Sequence, residues 1–238
     1  MVLISGAKPE LLYLNNSTKE FARSELFDVA LDQFDIQDYW AYENRFPEKS
    51  EEFAGVFISG SPHSSYDNDP WIEKEHRLIT RLADRGVPMF GICFGSQILA
   101  SALCGRDQVY RRTDCEVGFK WLTVSHDARN DAVCNDLEES IRMFVWHNDE
   151  VTAQHSDIRV LASSDVCSNQ IWGHREIPVW GVQGHLEITA KEAPIWFERN
   201  RSRLEADGAN VENLIADADD AKVSKSMFHN FLEYCVNR

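Results

Sequence analysis

Apolar positions along the 238-residue chain fall into short runs separated by stretches with helical spacing. Val2 to Ser5 reads as a first strand. Ser17-Thr18-Lys19-Glu20 has the form of a capping box, and Phe21, Leu26, Val29 and Ala30 continue in helical register toward Phe34. Ile36 to Tyr42 is a second candidate strand. Phe53 to Ile58 is a third, ending in Ser59-Gly60-Ser61-Pro62. Asp69-Pro70 reads as an N-cap with proline at the first helical position. Trp71, Ile72, Leu78, Ile79 and Leu82 then share one face of a helix that stops at Gly86. Val87 to Ile92 is apolar in the manner of a buried parallel strand, and Ile98, Leu99, Ala102 and Leu103 resume helical spacing up to Gly105.

Beyond Gly105 the pattern changes. Phe119 to Val124, Met143 to Trp146, Val160 to Ala162 and Gln170 to Trp172 suggest short, partly antiparallel strands. Val179 to Glu187 returns to an apolar strand with a polar end. Lys191 to Arg203 and Val223 to Val236 read as closing helices, and the acidic stretch from Glu205 to Asp220 as an exposed loop that could hold a short helical turn. Alternating strands and helices predict one α/β domain over residues 1–238, with a central mostly parallel sheet flanked by helices and a small antiparallel region. Ligands then bind outside the carboxyl ends of the parallel strands.

Composition narrows the partners. A formal net charge of −15 and a pI near 4.9 argue against nucleic acid and anionic membrane surfaces. No basic segment followed by an apolar one opens the chain, and no apolar run is long enough to span a bilayer, so a cytoplasmic location is expected. Cys93, Cys104, Cys115, Cys134, Cys167 and Cys235 show no metal-ligand spacing, which predicts neither a disulfide framework nor a structural metal. His63, His76, His126, His155 and His174 read as surface residues, and the tryptophans as packing.

The candidate chemistry centres on Gly91-Ile92-Cys93-Phe94-Gly95-Ser96-Gln97. Flanking glycines allow a tight turn from strand to helix, and the unpaired amides of a helix amino terminus favour a thiolate on Cys93. Alone, this motif fits a small buried cysteine equally well. Gln183-Gly184-His185-Leu186-Glu187 supplies a base and a carboxylate two positions apart, which an extended strand would point to one side. An ordinary strand end would also explain that pair. Ser59-Gly60-Ser61-Pro62 could turn a backbone amide toward the site, or be a plain proline turn.

Together, in this order, the three motifs resemble those of class I glutamine amidotransferases, the triad type with a cysteine nucleophile. Val145-Trp146-His147-Asn148-Asp149-Glu150-Val151 resembles a His-x-Asp-x-Val segment usual between the second and third motifs. The similarity spans roughly residues 53–190. Two departures stand out: Leu186 replaces a usual proline, and Ser61 a common second glycine. The resemblance implies a flavodoxin-like fold with Cys93 as nucleophile, His185 as base and Glu187 as its orienter. It also implies oxyanion amides from Gly60 and Phe94, substrate contacts from Gln97 and His147, and no cofactor. The reaction implied is hydrolysis of a γ-glutamyl amide, in glutamine or a γ-glutamyl compound, through a γ-glutamyl thioester. The overall pattern is most similar to free-standing proteins of this group, among which plant γ-glutamyl peptidases look like relatives. The sequence carries neither a P-loop nor an ATP-pyrophosphatase signature. That leaves a stand-alone hydrolase as the first reading, an amidase subunit serving a separate synthetase as the second, and a non-enzymatic binding module as the third.

Overall fold

A computed structural model describes residues 7–17, 30, 32–48, 53–188, 190–218 and 222–237. Its strands are β1 (Glu10–Asn15), β2 (Asp35–Trp40), β3 (Phe53–Ile58), β4 (Met89–Ile92), β5 (Val109–Val124), β6 (Ser140–Val151), β7 (Ile158–Ser163), β8 (Ile171–His174) and β9 (Val179–Val182). Its helices are α1 (Pro70–Asp84), α2 (Phe94–Leu103), α3 (Ala193–Arg199), α4 (Arg201–Ala206), α5 (Val211–Asp217) and α6 (Lys222–Val236).

The described strands form one nine-stranded sheet in the order β2-β1-β3-β4-β9-β8-β7-β5-β6. From β2 to β9 every neighbouring pair is parallel, and from β9 to β6 every pair is antiparallel. The antiparallel part is larger than the sequence pattern suggests, because β5 and β6 run 16 and 12 residues as one long hairpin. Charged residues from Arg111 to Glu116 hide that continuity, and the register between the two strands shifts there.

Two apolar layers cover the parallel half. On one face Phe57 and Phe90 meet Phe231 of α6, with ring centroids 4.8 and 5.4 Å apart. On the other, Ile72, Leu78, Ile79 and Leu82 of α1 pack with Ile98 and Leu99 of α2 over Val56 and Ile58. Helix α1 follows the predicted face, starts at Pro70, and is followed by Gly86 at φ 69°, a conformation glycine adopts without strain. A third cluster seats α3, α4 and α5 on β5 and β6 through Phe197, Leu204, Val211 and Leu214.

Several expectations change. The first described strand is Glu10–Asn15; the strand expected at Val2–Ser5 lies outside the described residues, as does most of the helix expected after Ser17. The closing helix from Lys191 is split at Asn200, whose side chain donates to the Trp196 carbonyl at 2.9 Å. The acidic stretch after Glu205 contains α5, held by the buried Val211 and Leu214. Its N-cap Asn210 accepts from the Asn213 amide at 2.8 Å, a local bond that satisfies a leading amide of the helix. No described helix is long and apolar enough to cross a membrane.

Candidate active site

The junction between β4 and α2 carries the strongest local constraint. Cys93 sits at φ 52°, ψ −109°, one of two non-glycine residues at positive φ among those described. Such a conformation is costly for a side-chain-bearing residue and persists only where its surroundings fix it. Here they do. The Cys93 amide donates to the Val182 carbonyl at 2.7 Å, tying the turn to β9. A Cβ on Gly91 would lie 2.6 Å from the Ser96 nitrogen, and one on Gly95 would lie 2.8 Å from the Ile58 carbonyl carbon. Both glycines therefore let α2 rest directly on the strand ends. Gly95→Ala is expected to push α2 off β3 and lower stability by about 1–3 kcal/mol. Thermal melting followed by circular dichroism checks it; an unchanged midpoint would refute the close-packing argument.

Cys93 is 7% exposed at the floor of a cavity of about 550 Å³. Its sulfur lies 3.7 Å from the Trp146 carbonyl oxygen and 3.7 Å from Nε2 of Gln183, which donates to it. His185 and Glu187 reach the same cavity. The pleated-strand reading of that pair does not hold, because β9 ends at Val182 and residues 183–188 form a bend and turn. The bend is fixed by the His185 amide donating to the Phe144 carbonyl at 2.8 Å, and by Gly184, where a Cβ would lie 2.6 Å from Met143 Cγ. Within the turn His185 Nδ1 lies 2.6 Å from Glu187 Oε1, which leaves Nε2 for the cysteine side. Burial disfavours the charged ring, but the Glu187 carboxylate and the Cys93 sulfur reverse this and hold its pKa well above the ordinary histidine value.

Gly60 lies against both groups: a Cβ there would be 3.6 Å from Cys93 Cβ and 3.5 Å from His185 Cε1. The Phe94 amide belongs to the first turn of α2, whose leading N–H groups have no intrahelical partner. Gln97 also lines the cavity, but its Nε2 donates to the Asp149 carbonyl at 2.9 Å and to Gln183 Oε1 at 3.2 Å. His147 is committed further. Its Nδ1 lies 2.9 Å from the Asp149 carbonyl and its Nε2 2.9 Å from Glu116 Oε2, so neither ring nitrogen remains for a substrate. These two bonds pin β6 beside the site, and His147 also borders the cavity. Asp149 extends that role: Ser64 Oγ and Tyr66 OH both donate to its carboxylate, the latter at 2.8 Å, anchoring the loop after Gly60.

Sequence reading gave no role to the upper wall. Trp146 and Trp196 meet edge to face at 5.6 Å, and Trp196 lies 5.8 Å from the His185 ring. Arg203 stacks over Trp146 at 4.7 Å, and Trp146 Nε1 donates to Asp207 at 2.7 Å. Only the aromatic content of Val145-Trp146-His147 hinted at this. Of the histidines expected at the surface, His63 lines the cavity and His76 is buried. Among the described residues, two groups of side chains approach closely enough to share an ion: Glu116, His147 and Cys167, and His63, Asp67 and Asp69. The first is already a satisfied network, since Ser164 and Gln170 also donate to Glu116 at 3.2 and 3.0 Å.

The model of the glutamine amidotransferase class-I family matches residues 16–200. The chain belongs to that family. It is 32% identical over 141 residues to the glutamine-hydrolyzing GMP synthase of Escherichia fergusonii, a match covering 57% of this chain and 26% of that protein. The chain thus spans about a quarter of the length of the curated relatives it matches. Among solved structures, a glutamine amidotransferase from Thermotoga maritima superposes with a TM-score of 0.85 at 22% identity, covering 98% of this chain and 100% of that one. One from Methylobacillus flagellatus gives 0.81 at 18% identity, covering 96% of each. The amidotransferase fold therefore holds across almost the whole chain.

Proposed function

We propose that this amidotransferase hydrolyses a γ-glutamyl amide on its own, with Cys93, His185 and Glu187 as its catalytic residues. The observation that carries the reading is the His185–Glu187 pair, 2.6 Å apart, beside a cysteine held at positive φ on the cavity floor. His185 Nε2 already holds the proton drawn from the Cys93 side, on the ring that Glu187 and the sulfur keep charged, when Cys93 Sγ bonds to the amide carbonyl carbon. The amides of Gly60 and Phe94 receive the oxyanion. As the C–N bond breaks, His185 returns the proton to the leaving nitrogen, and a γ-glutamyl thioester remains. Water, deprotonated by His185, then hydrolyses the thioester to glutamate and the free thiol.

A cavity of about 550 Å³ is of the size that encloses ligands larger than one amino acid, which favours γ-glutamyl compounds with a substantial leaving group alongside glutamine. The likeness to GMP synthase supports a second reading, an amidase that passes ammonia to a separate synthetase. The deciding experiment incubates the purified chain with L-glutamine, glutathione and γ-glutamyl dipeptides and follows glutamate release. Turnover by the chain alone is the expected result, faster on the larger substrates. Alkylation of Cys93 by a glutamine-like chloroketone without turnover would favour the synthetase reading. An unreactive Cys93 would overturn both.

A further inference from the structure

A fully buried carboxyl group stands behind the Gly60 loop. Glu75 is fully buried in α1, on the same face as the apolar Trp71, Ile72, Leu78 and Ile79. Its oxygen Oε1 accepts from Nδ2 of Asn16, itself fully buried, at 2.9 Å. The Asn16 amide donates to Ser59 Oγ at 2.8 Å, and Ser59 Oγ donates to the Gly60 carbonyl at 3.1 Å. Three hydrogen bonds thus connect a buried carboxyl in α1 to the loop that touches Cys93 and His185.

Two oxygens of this pair have no donor, Glu75 Oε2 and Asn16 Oδ1. Buried acceptors without partners are rare and costly, and here one lies on each member of a hydrogen-bonded pair. A single proton on Glu75 supplies the missing donor. The neutral carboxylic acid both donates to and accepts from the amide, closing a two-bond ring. An ionised carboxylate would leave a buried charge with one hydrogen bond from a neutral group. We propose that Glu75, as a neutral acid paired with Asn16, is a positioning residue that fixes the Ser59–Gly60 loop against Cys93. The inference rests on the reading of Gly60 as an oxyanion donor.

Burial lifts the Glu75 carboxyl to about 8, against the opposing hydrogen bond from Asn16. Other charged groups near this part of α1 act elsewhere. Glu73 pairs with Arg106, and Arg106 Nη2 lies 3.1 Å from His76 Nδ1. Burial, with Arg106 adding to it, pushes His76 down to about 4. Asn16, just beyond β1, bonds Glu75, and Ser59, just beyond β3, bonds Asn16; both are neutral.

The test compares the full chain with Glu75→Gln and Glu75→Leu across the pH range. In the wild type kcat is expected to fall as pH rises through about 8, with KM little changed. Glutamine can form the same two-bond ring without titrating, so Glu75→Gln keeps the neutral-pH kcat and lacks that fall. Glu75→Leu strands Asn16 and lowers kcat on the order of 100-fold through misplacement of the loop. Melting temperature gives a reading without substrate. The folded carboxyl pKa is raised, so wild-type stability declines from about pH 4.5 to about 8 and then levels off, a decline Glu75→Gln lacks. If the chain alone releases no glutamate, the same comparison is read in the rate at which a chloroketone alkylates Cys93, which separates failure of the hydrolase reading from failure of this one. A Glu75→Gln variant that shares the wild-type pH dependence of melting, or of turnover and alkylation, would overturn the proposal, as would a Glu75→Leu variant with unchanged kcat.

Discussion

Cys93→Ala is expected to lower glutamate release on the order of 10⁵-fold while leaving the fold intact, because removing a nucleophile costs nearly everything a covalent mechanism supplies. The two parts of this expectation have separate physical grounds. The sulfur's contacts with Trp146 and Gln183 are long, at 3.7 Å, and its other partner, the His185 ring, can shed its charge when the sulfur is gone, so its loss costs about 1 kcal/mol of stability. The turn itself is fixed by backbone, through the Cys93 amide on Val182 and the close approach of Gly95 to Ile58. Alanine at φ 52° carries the same strain as cysteine. The midpoint of thermal melting should therefore move little, and chloroketone labelling should vanish together with turnover. Residual activity near that of the wild type would remove Cys93 from the mechanism.

The parts of this site legible in the sequence are those built by local chemistry. Gly91 and Gly95 mark the turn because only a residue without Cβ fits against the opposing backbone, and Phe53–Ile58 is a strand whose apolar run ends where the Gly60 loop begins. His185 and Glu187 are legible as a pair of residues, but not in their geometry. Spacing of two suggests a pleat, but His185 and Glu187 meet through a turn whose shape depends on Phe144 and Met143, about forty positions earlier. No local pattern records that contact. The same holds for His147: the residue can be found by motif, whereas its occupation by Glu116 depends on a cross-strand register that shifts within β5.

Glu75 illustrates a different limit. It lies four positions after Trp71 and three before Leu78, on the face that the helical period predicts to be buried. Its charge at neutral pH argues for solvent, so the periodicity and the residue type disagree. Such a disagreement is itself a signal: a carboxyl group on the apolar face of a helix must be paired or neutral, and either state is worth locating. The partner, Asn16, lies 59 positions away just beyond the end of β1, where its role follows only from the three-dimensional arrangement.

Glu187→Gln is expected to lower kcat by roughly 10³–10⁴-fold with KM close to the wild-type value. On the proposed reading, the carboxylate accepts from Nδ1 of His185 across 2.6 Å, so that Nε2 is the nitrogen exchanging the proton with the thiol. An amide can turn its nitrogen toward Nδ1 instead. The ring then carries its proton on Nε2, the side facing Cys93, and cannot act as a base. The charge matters separately. Burial pushes the imidazole toward its neutral form, and the Glu187 carboxylate is the first of the influences that reverse this. Without it, His185 loses its proton at a lower pH, so protonation of the leaving nitrogen weakens as pH rises across the neutral range. Glu187→Asp separates the two effects, since it restores the charge on a side chain one methylene shorter. It should return the wild-type shape of the pH profile with only part of the rate. Parallel profiles and equal kcat for all three proteins would show that Glu187 is a bystander, and would leave His185 to be oriented by its ring contacts with Phe144 and Trp196 at 5.9 and 5.8 Å.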